Sequence, residues 1–134
     1  MKLLIQSTIC ENFSPDKLLL LSHFMKYCIR SLCLQEDMVI YIVDNRQKYA
    51  IDTTAVYNSD DHTIFVYGKG RSFVDILKSI SHEMVHAKQH QDGHDISGFN
   101  LHFHSDIEDE ANADGMSLLN AYAEVMGRDI IYDN

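Results

Sequence analysis

The sequence predicts an α+β domain, with helices before and after a small sheet. Three observations carry that reading: apolar residues recur at helical spacing after Pro15, three short β-rich runs fall between Met38 and Tyr67, and two further capped helical stretches open at Ser72 and Ser105. The 134 residues are the size of one domain, and a hydrophobic content of 46% with 23% charged residues is ordinary for a globular protein. No internal repeat, low-complexity tract or linker divides them, so residues 1–134 read as a single domain.

Each element has a local cause. Residues 2–9 are short and apolar and fit either a strand or a lead-in. Ser14-Pro15-Asp16 is a helix start, with Ser14 as N-cap, Pro15 at the first helical position and Asp16 against the dipole. Leu18, Leu21, Met25, Cys28, Ile29 and Leu32 then mark one buried stripe, to about Leu34. Met38–Val43 is continuously apolar, as in a strand covered on both faces. Tyr49–Tyr57 alternates, and His62–Tyr67 follows the turn-forming Asn58-Ser59-Asp60-Asp61. Short connections predict a three-stranded, mainly antiparallel sheet. Gly68-Lys69-Gly70-Arg71 lacks the phosphate-loop pattern and reads as a flexible link. Ser72 with Asp75 opens the next helix, whose Phe73, Ile76, Leu77, Ile80, Met84 and Ala87 share one face. A loop over 91–104 leads to Ser105-Asp106-Ile107-Glu108, a capping-box sequence that starts a last helix to about Met126, closed by Gly127.

Composition excludes several function classes. A net charge of −9 with scattered Lys and Arg argues against nucleic acid and anionic membranes as partners. The N-terminal apolar run is too short for a secretion signal, and no stretch approaches the roughly 18 apolar residues of a membrane span. Cys10, Cys28 and Cys33 are odd in number and lack CxxC spacing, which suits reduced thiols in a cytoplasmic protein.

The chemistry concentrates in Ser81-His82-Glu83-Met84-Val85-His86, an HExxH motif on the second capped helix. On a helix the histidines stand at i and i+4, so both imidazoles project from one face toward a common point, opposite the apolar stripe. Glu83 can reach a water on a metal held there, which is the working half of a zinc hydrolase site. Catalytic zinc normally takes three protein ligands. Gln89 and Asp92 occupy the positions where a metzincin has Gly and His, which removes that class. The last helix offers Glu110-Ala111-Asn112-Ala113-Asp114. Glu110 would complete a site of two histidines and one glutamate, Asp114 one turn on could orient a ligand imidazole, and Ala111 and Ala113 would let the two helices approach.

An HExxH followed by an ExxxD glutamate helix resembles the gluzincin metallopeptidases. With its helix, three-stranded sheet, HExxH helix and glutamate helix, the chain resembles their minimal members, the minigluzincins. It is also similar to small metallopeptidases encoded by bacteria and their phages. The resemblance implies a minimal zincin fold, a peptide or protein substrate, Zn²⁺ held by His82, His86 and Glu110, Glu83 as general base and Asp114 behind the ligands. Asp106, Glu108 and Asp109 rank behind Glu110. SprT-like proteases share the HExxH and take a histidine third ligand from a comparable region, here His102 or His104, but those act on DNA-bound substrates. A regulatory zincin-like domain that binds a partner protein, and a zinc-stabilised structural domain, are the alternatives without catalysis. His102, His104, Tyr122 and Tyr132 are candidate donors to a substrate oxyanion, and His62–Tyr67, read as an edge strand, could hold a peptide by strand addition.

Overall fold

The structure, a computed structural model, describes residues 2–5, 9, 12–51, 53–94, 96 and 105–132. Its elements are β1 (Lys2–Ile5), α1 (Pro15–Leu32), β2 (Val39–Val43), β3 (Ala55–Asn58), β4 (Thr63–Tyr67), α2 (Phe73–Gln91), α3 (Ser105–Met126) and α4 (Arg128–Tyr132). The expected α+β layout is present: an N-terminal helix, a sheet, the HExxH helix α2 and the glutamate-bearing helix α3.

Helix α1 starts where its caps place it. The Ser14 hydroxyl accepts from the Lys17 N–H at 3.2 Å, and Cys33 ends the helix in the left-handed conformation. Leu21, Phe24, Met25 and Cys28 turn its apolar stripe into the core. Cys28 is buried and Cys33 exposed, both as free thiols, whereas Cys10 lies outside the described residues.

The sheet departs from the expectation of three mainly antiparallel strands. It has four strands in the order β1-β2-β4-β3; β1–β2 and β2–β4 are parallel, and only the β3–β4 hairpin is antiparallel. The apolar lead-in is thus a strand, and α1 supplies the crossover that a parallel β1–β2 pair requires. The hairpin docks through β4, the more apolar of its two strands, which puts β4 in the interior and leaves β3 on the edge. The strand expected over 49–57 is reduced to Ala55–Asn58, because residues 46–50 close into turns. There the Asn45 side chain accepts from Lys48 N–H, the Ile51 N–H bonds Arg46 O at 2.9 Å, and Ala50 has φ 55.

Ile40, Ile42, Ile64 and Val66 face α2, whose Phe73, Ile76, Leu77, Ile80, Met84 and Ala87 are all buried against the same core. Each such large side chain contributes about 1.5–3 kcal/mol through burial. This is the helix-covered face of the sheet. On the other, Phe65 stacks with Tyr41 and Tyr49 at 5.1 and 5.0 Å between ring centroids, only half-buried. Gly68, expected in a flexible link, is packed: its N–H bonds Val43 O at 2.9 Å, and a Cβ there would lie 2.6 Å from Ile42 Cγ2.

Helix α3 crosses α2 on the side away from the sheet, burying Ala111, Leu119, Tyr122 and Ala123. The closest approach is at Gly115, where a Cβ would stand 3.1 Å from His82 N and 3.2 Å from His82 Cα. Of the two alanines expected to admit this contact, Ala111 is buried and Ala113 is exposed. Gly127, at φ 100, ends α3 as expected, and α4 then buries Ile131 in the core. Among the described residues no helix is long and apolar enough to cross a membrane.

Candidate metal centre

Helix α2 is buried almost all round, because the sheet takes one side and α3 the other. Ser79, Ser81, Glu83, His86 and Gln89 are buried although they lie off its apolar stripe. Such a helix must satisfy its polar groups through the neighbouring helix. That requirement shapes the site.

His82 and His86 project together, with ring centroids 4.8 Å apart and planes nearly perpendicular. The Glu108 carboxylate, from the first turn of α3, reaches both: Oε1 lies 2.6 Å from His86 Nε2, and Oε2 lies 3.6 Å from His82 Nε2. One ligand atom from each residue falls within 4.8 Å of the other two, so the three could hold a metal ion between them. His86 is buried, while the Glu108 side chain is 42% exposed, which gives the cluster one solvent-facing side. Burial and the neighbouring His86 hold the His82 imidazole below the usual histidine range, against the opposing pull of Glu108 and a hydrogen bond with Asn112. A neutral ring is the form that ligates a metal.

The carboxylate at the histidines is Glu108, where the ExxxD reading placed Glu110. Glu110 is exposed, and its Oε1 accepts instead from Gln89 Nε2 at 3.0 Å. Gln89 also takes the orienting position assigned to Asp114, which is exposed on α3 and outside the cluster. The Gln89 amide nitrogen donates to two groups that can only accept, Ile107 O at 2.9 Å and the Glu110 carboxylate. Its oxygen must therefore face His86 Nδ1, 2.7 Å away, and accept a hydrogen from it. With a metal bound, the proton would stay on Nδ1 and His86 would offer the lone pair of Nε2, the atom aimed at Glu108, to the shared cation.

Glu83 lies beside this cluster, nearly inaccessible to solvent. Burial, reinforced by Glu108, pushes its carboxyl up to about 8, against a hydrogen bond from the Tyr57 N–H that favours the ionised form. A cation among the neighbouring ligands would shift the balance back toward the carboxylate. Glu83 shares a cleft of about 360 Å³ with His82, Glu108 and Asn112, and its far end is lined by Thr54, Arg71, Asp75, Lys78 and Ser79.

The expected oxyanion donors are elsewhere or undescribed. The Tyr122 hydroxyl is in the core, 2.8 Å from His23 Nδ1, and Tyr132 bonds Asn120. His102 and His104 lie outside the described residues. The strand read as an edge, residues 62–67, is interior as β4, so the edge strand beside the site is β3. Sequence reasoning passed over Gln89, Asn112 and Arg71; for Gln89 the available signal was a buried-side amide three residues after a motif histidine.

No protein-family model matches the chain, and neither the curated proteins nor the solved structures contain a match to it.

Proposed function

We propose that the chain is a zinc-dependent peptidase of the gluzincin type, with His82, His86 and Glu108 as the metal ligands and Glu83 as general base. The observation that carries the proposal is the buried carboxyl of Glu83 in the wall of the cleft beside two histidines and a second carboxylate, Glu108. Two imidazole nitrogens and one carboxylate oxygen form a donor set that suits zinc and leaves a position open. A zinc ion there would acidify a water and polarise the scissile carbonyl.

The chain's own groups supply the remainder. Glu83 takes a proton from the attacking water and delivers it to the leaving amine, a role that contributes about 10²–10⁴ in rate. Gln89 holds His86 in the ligating tautomer. The β3 edge offers a binding rail. Tyr67 N–H donates to Thr54 O at 2.8 Å, and the alternation of an antiparallel ladder then turns the main-chain groups of Ala55 and Tyr57 away from β4. Tyr57 N–H is committed to Glu83, which leaves Ala55 to pair with an extended peptide running past the metal position.

The test is zinc content and hydrolysis of a mixed peptide pool. Glu83→Gln should bind zinc one-to-one and lose hydrolysis by at least about a hundredfold. Glu108→Ala should lose zinc, and Glu110→Ala should keep it. Absence of stoichiometric zinc in the unsubstituted protein would end the proposal.

A further inference from the structure

Three charged side chains at one end of the cleft, Arg71, Asp75 and Lys78, have no part in the chemistry above. Arg71 lies between β4 and α2, and its guanidinium is half-buried. Three hydrogen bonds of 2.8 Å fix it in place, from Nη1 to Tyr67 O and from Nη2 to Asp75 O and Ser79 Oγ. All three acceptors are neutral. The Ser79 hydroxyl is itself held by a 3.2 Å contact with the Thr54 hydroxyl. Asp75 is close enough to favour the Arg71 charge, but its carboxylate lies 4.0 Å from Lys78 Nζ and is half-exposed. Among the described residues no carboxylate forms an ion pair with Arg71.

A partly desolvated cation that lacks an anionic partner is costly, and a guanidinium has five N–H donors. The three bonds engage only Nη1 and Nη2, so donor capacity remains on a group already fixed in orientation. Lys78 and Asp75 line the same end of the cleft and offset each other, which leaves Arg71 as the net positive charge there. In a chain of net charge −9, a fixed cation at one end of the cleft marks where an anion is accepted.

We infer that Arg71 is a specificity residue that binds a carboxylate of the peptide substrate, about two residues from the bond to be cut. This rests on the peptidase reading. The spacing follows from the helix: the guanidinium is bonded to Ser79, four residues before Glu83, which is about 6 Å along the helix axis. An extended peptide covers that distance in about two residues. The cleft therefore favours short peptides ending in a free carboxylate, or chains with Asp or Glu at that position. Arg71 touches the substrate without taking part in proton transfer.

Two matched probe pairs separate those sources: acetyl-Gly-Gly-Gly as free acid and as amide, and acetyl-Gly-Gly-Glu-amide against acetyl-Gly-Gly-Gln-amide. Binding is measured by calorimetry on zinc-loaded Glu83→Gln, which leaves the probes uncut, and on the metal-free protein, where no ion can capture the carboxylate. The anionic member of at least one pair should bind about tenfold to a hundredfold more tightly than its neutral partner in both forms. Adding Arg71→Gln should erase that preference while leaving the neutral probes unchanged, and Arg71→Lys should keep part of it. Equal binding of acid and neutral probes by the chain with Arg71 intact would overturn the inference, whatever the variants do. Hydrolysis by the unsubstituted protein is scored separately. Cleavage without charge preference leaves the peptidase and removes this role for Arg71. Arg71-dependent binding without cleavage leaves the anion site and removes the peptidase.

Discussion

Replacing Gly115 by alanine probes the link between helix packing and the candidate metal centre. The added Cβ would stand 3.1 Å from His82 N and 3.2 Å from His82 Cα, both backbone atoms of α2, so the helices must separate by a few tenths of an ångström. Gly115 lies two turns, about 10 Å, from Glu108 on the same helix, which transmits the shift to the ligand carboxylate. Metal–ligand distances tolerate only about ±0.2 Å. The fold itself should suffer little. Alanine gains about 1 kcal/mol of helix propensity over glycine, against about 1–3 kcal/mol for overpacking, for a net loss of about 0–2 kcal/mol. Metal affinity should fall further, by about tenfold to a hundredfold, as when a supporting contact of a ligand is lost. Competition against a chromophoric chelator gives the affinity, and thermal unfolding in chelator gives the stability of the metal-free chain. A folded Gly115→Ala protein with undiminished affinity would refute the argument that this crossing sets the position of Glu108. The branched Gly115→Val should be worse on both measures.

Other outcomes follow from the same contacts. Gln89→Leu removes the acceptor that fixes His86 Nδ1 and should weaken metal binding about tenfold to a hundredfold, with about 1–3 kcal/mol lost from the buried His86 Nδ1 left without its partner; metal titration and thermal unfolding measure the two separately. The metal-free chain should depend on pH through Glu83. Its folded pKa of about 8 lies above the ordinary 4.5, so its contribution to stability is full below 4.5 and is lost as pH rises through about 8. Unfolding midpoints of chelated protein should therefore fall more steeply across that window than those of Glu83→Gln, and parallel curves would show that the carboxyl is not held neutral.

The helices were legible in the sequence because their signals are local. Ser14, Ser72 and Gly127 act at the ends where they were read, and the stripe from Phe73 to Ala87 is buried throughout. The strand runs were legible too, but their pairing was not. A hairpin such as β3–β4 is announced by its turn, whereas the docking of β4 against β2 depends on which hairpin strand is the more apolar. Parallel pairing between β1 and β2 also depends on the α1 crossover, a contact between segments far apart in the chain. The shortening of β3 came from Asn45 and the positive φ at Ala50, which an alternating pattern does not reveal.

The choice between Glu108 and Glu110 turns on helical register, and there the sequence held more than periodicity of apolar residues conveys. At about 100° per residue, Glu108 lies only about 20° around α3 from Gly115, whereas Glu110 lies about 140° away. The apolar residues Ile107, Leu118, Tyr122 and Val125 centre a face that lies equally far, about 80°, from Glu108 and from Glu110, so they do not choose between them, and Val125 is 76% exposed. The face is centred instead on Ala111 and Gly115, because a helix lying against the backbone of another at its nearest point needs small residues there. Side chains on that line are the ones delivered to His82 and His86. The same register carries Asn112 to His82 and leaves Asp114 in solvent. With Asp114 turned away, the hydrogen of His86 Nδ1 must find its acceptor on its own helix, and Gln89, three residues on, is the side chain that one turn of helix brings within reach.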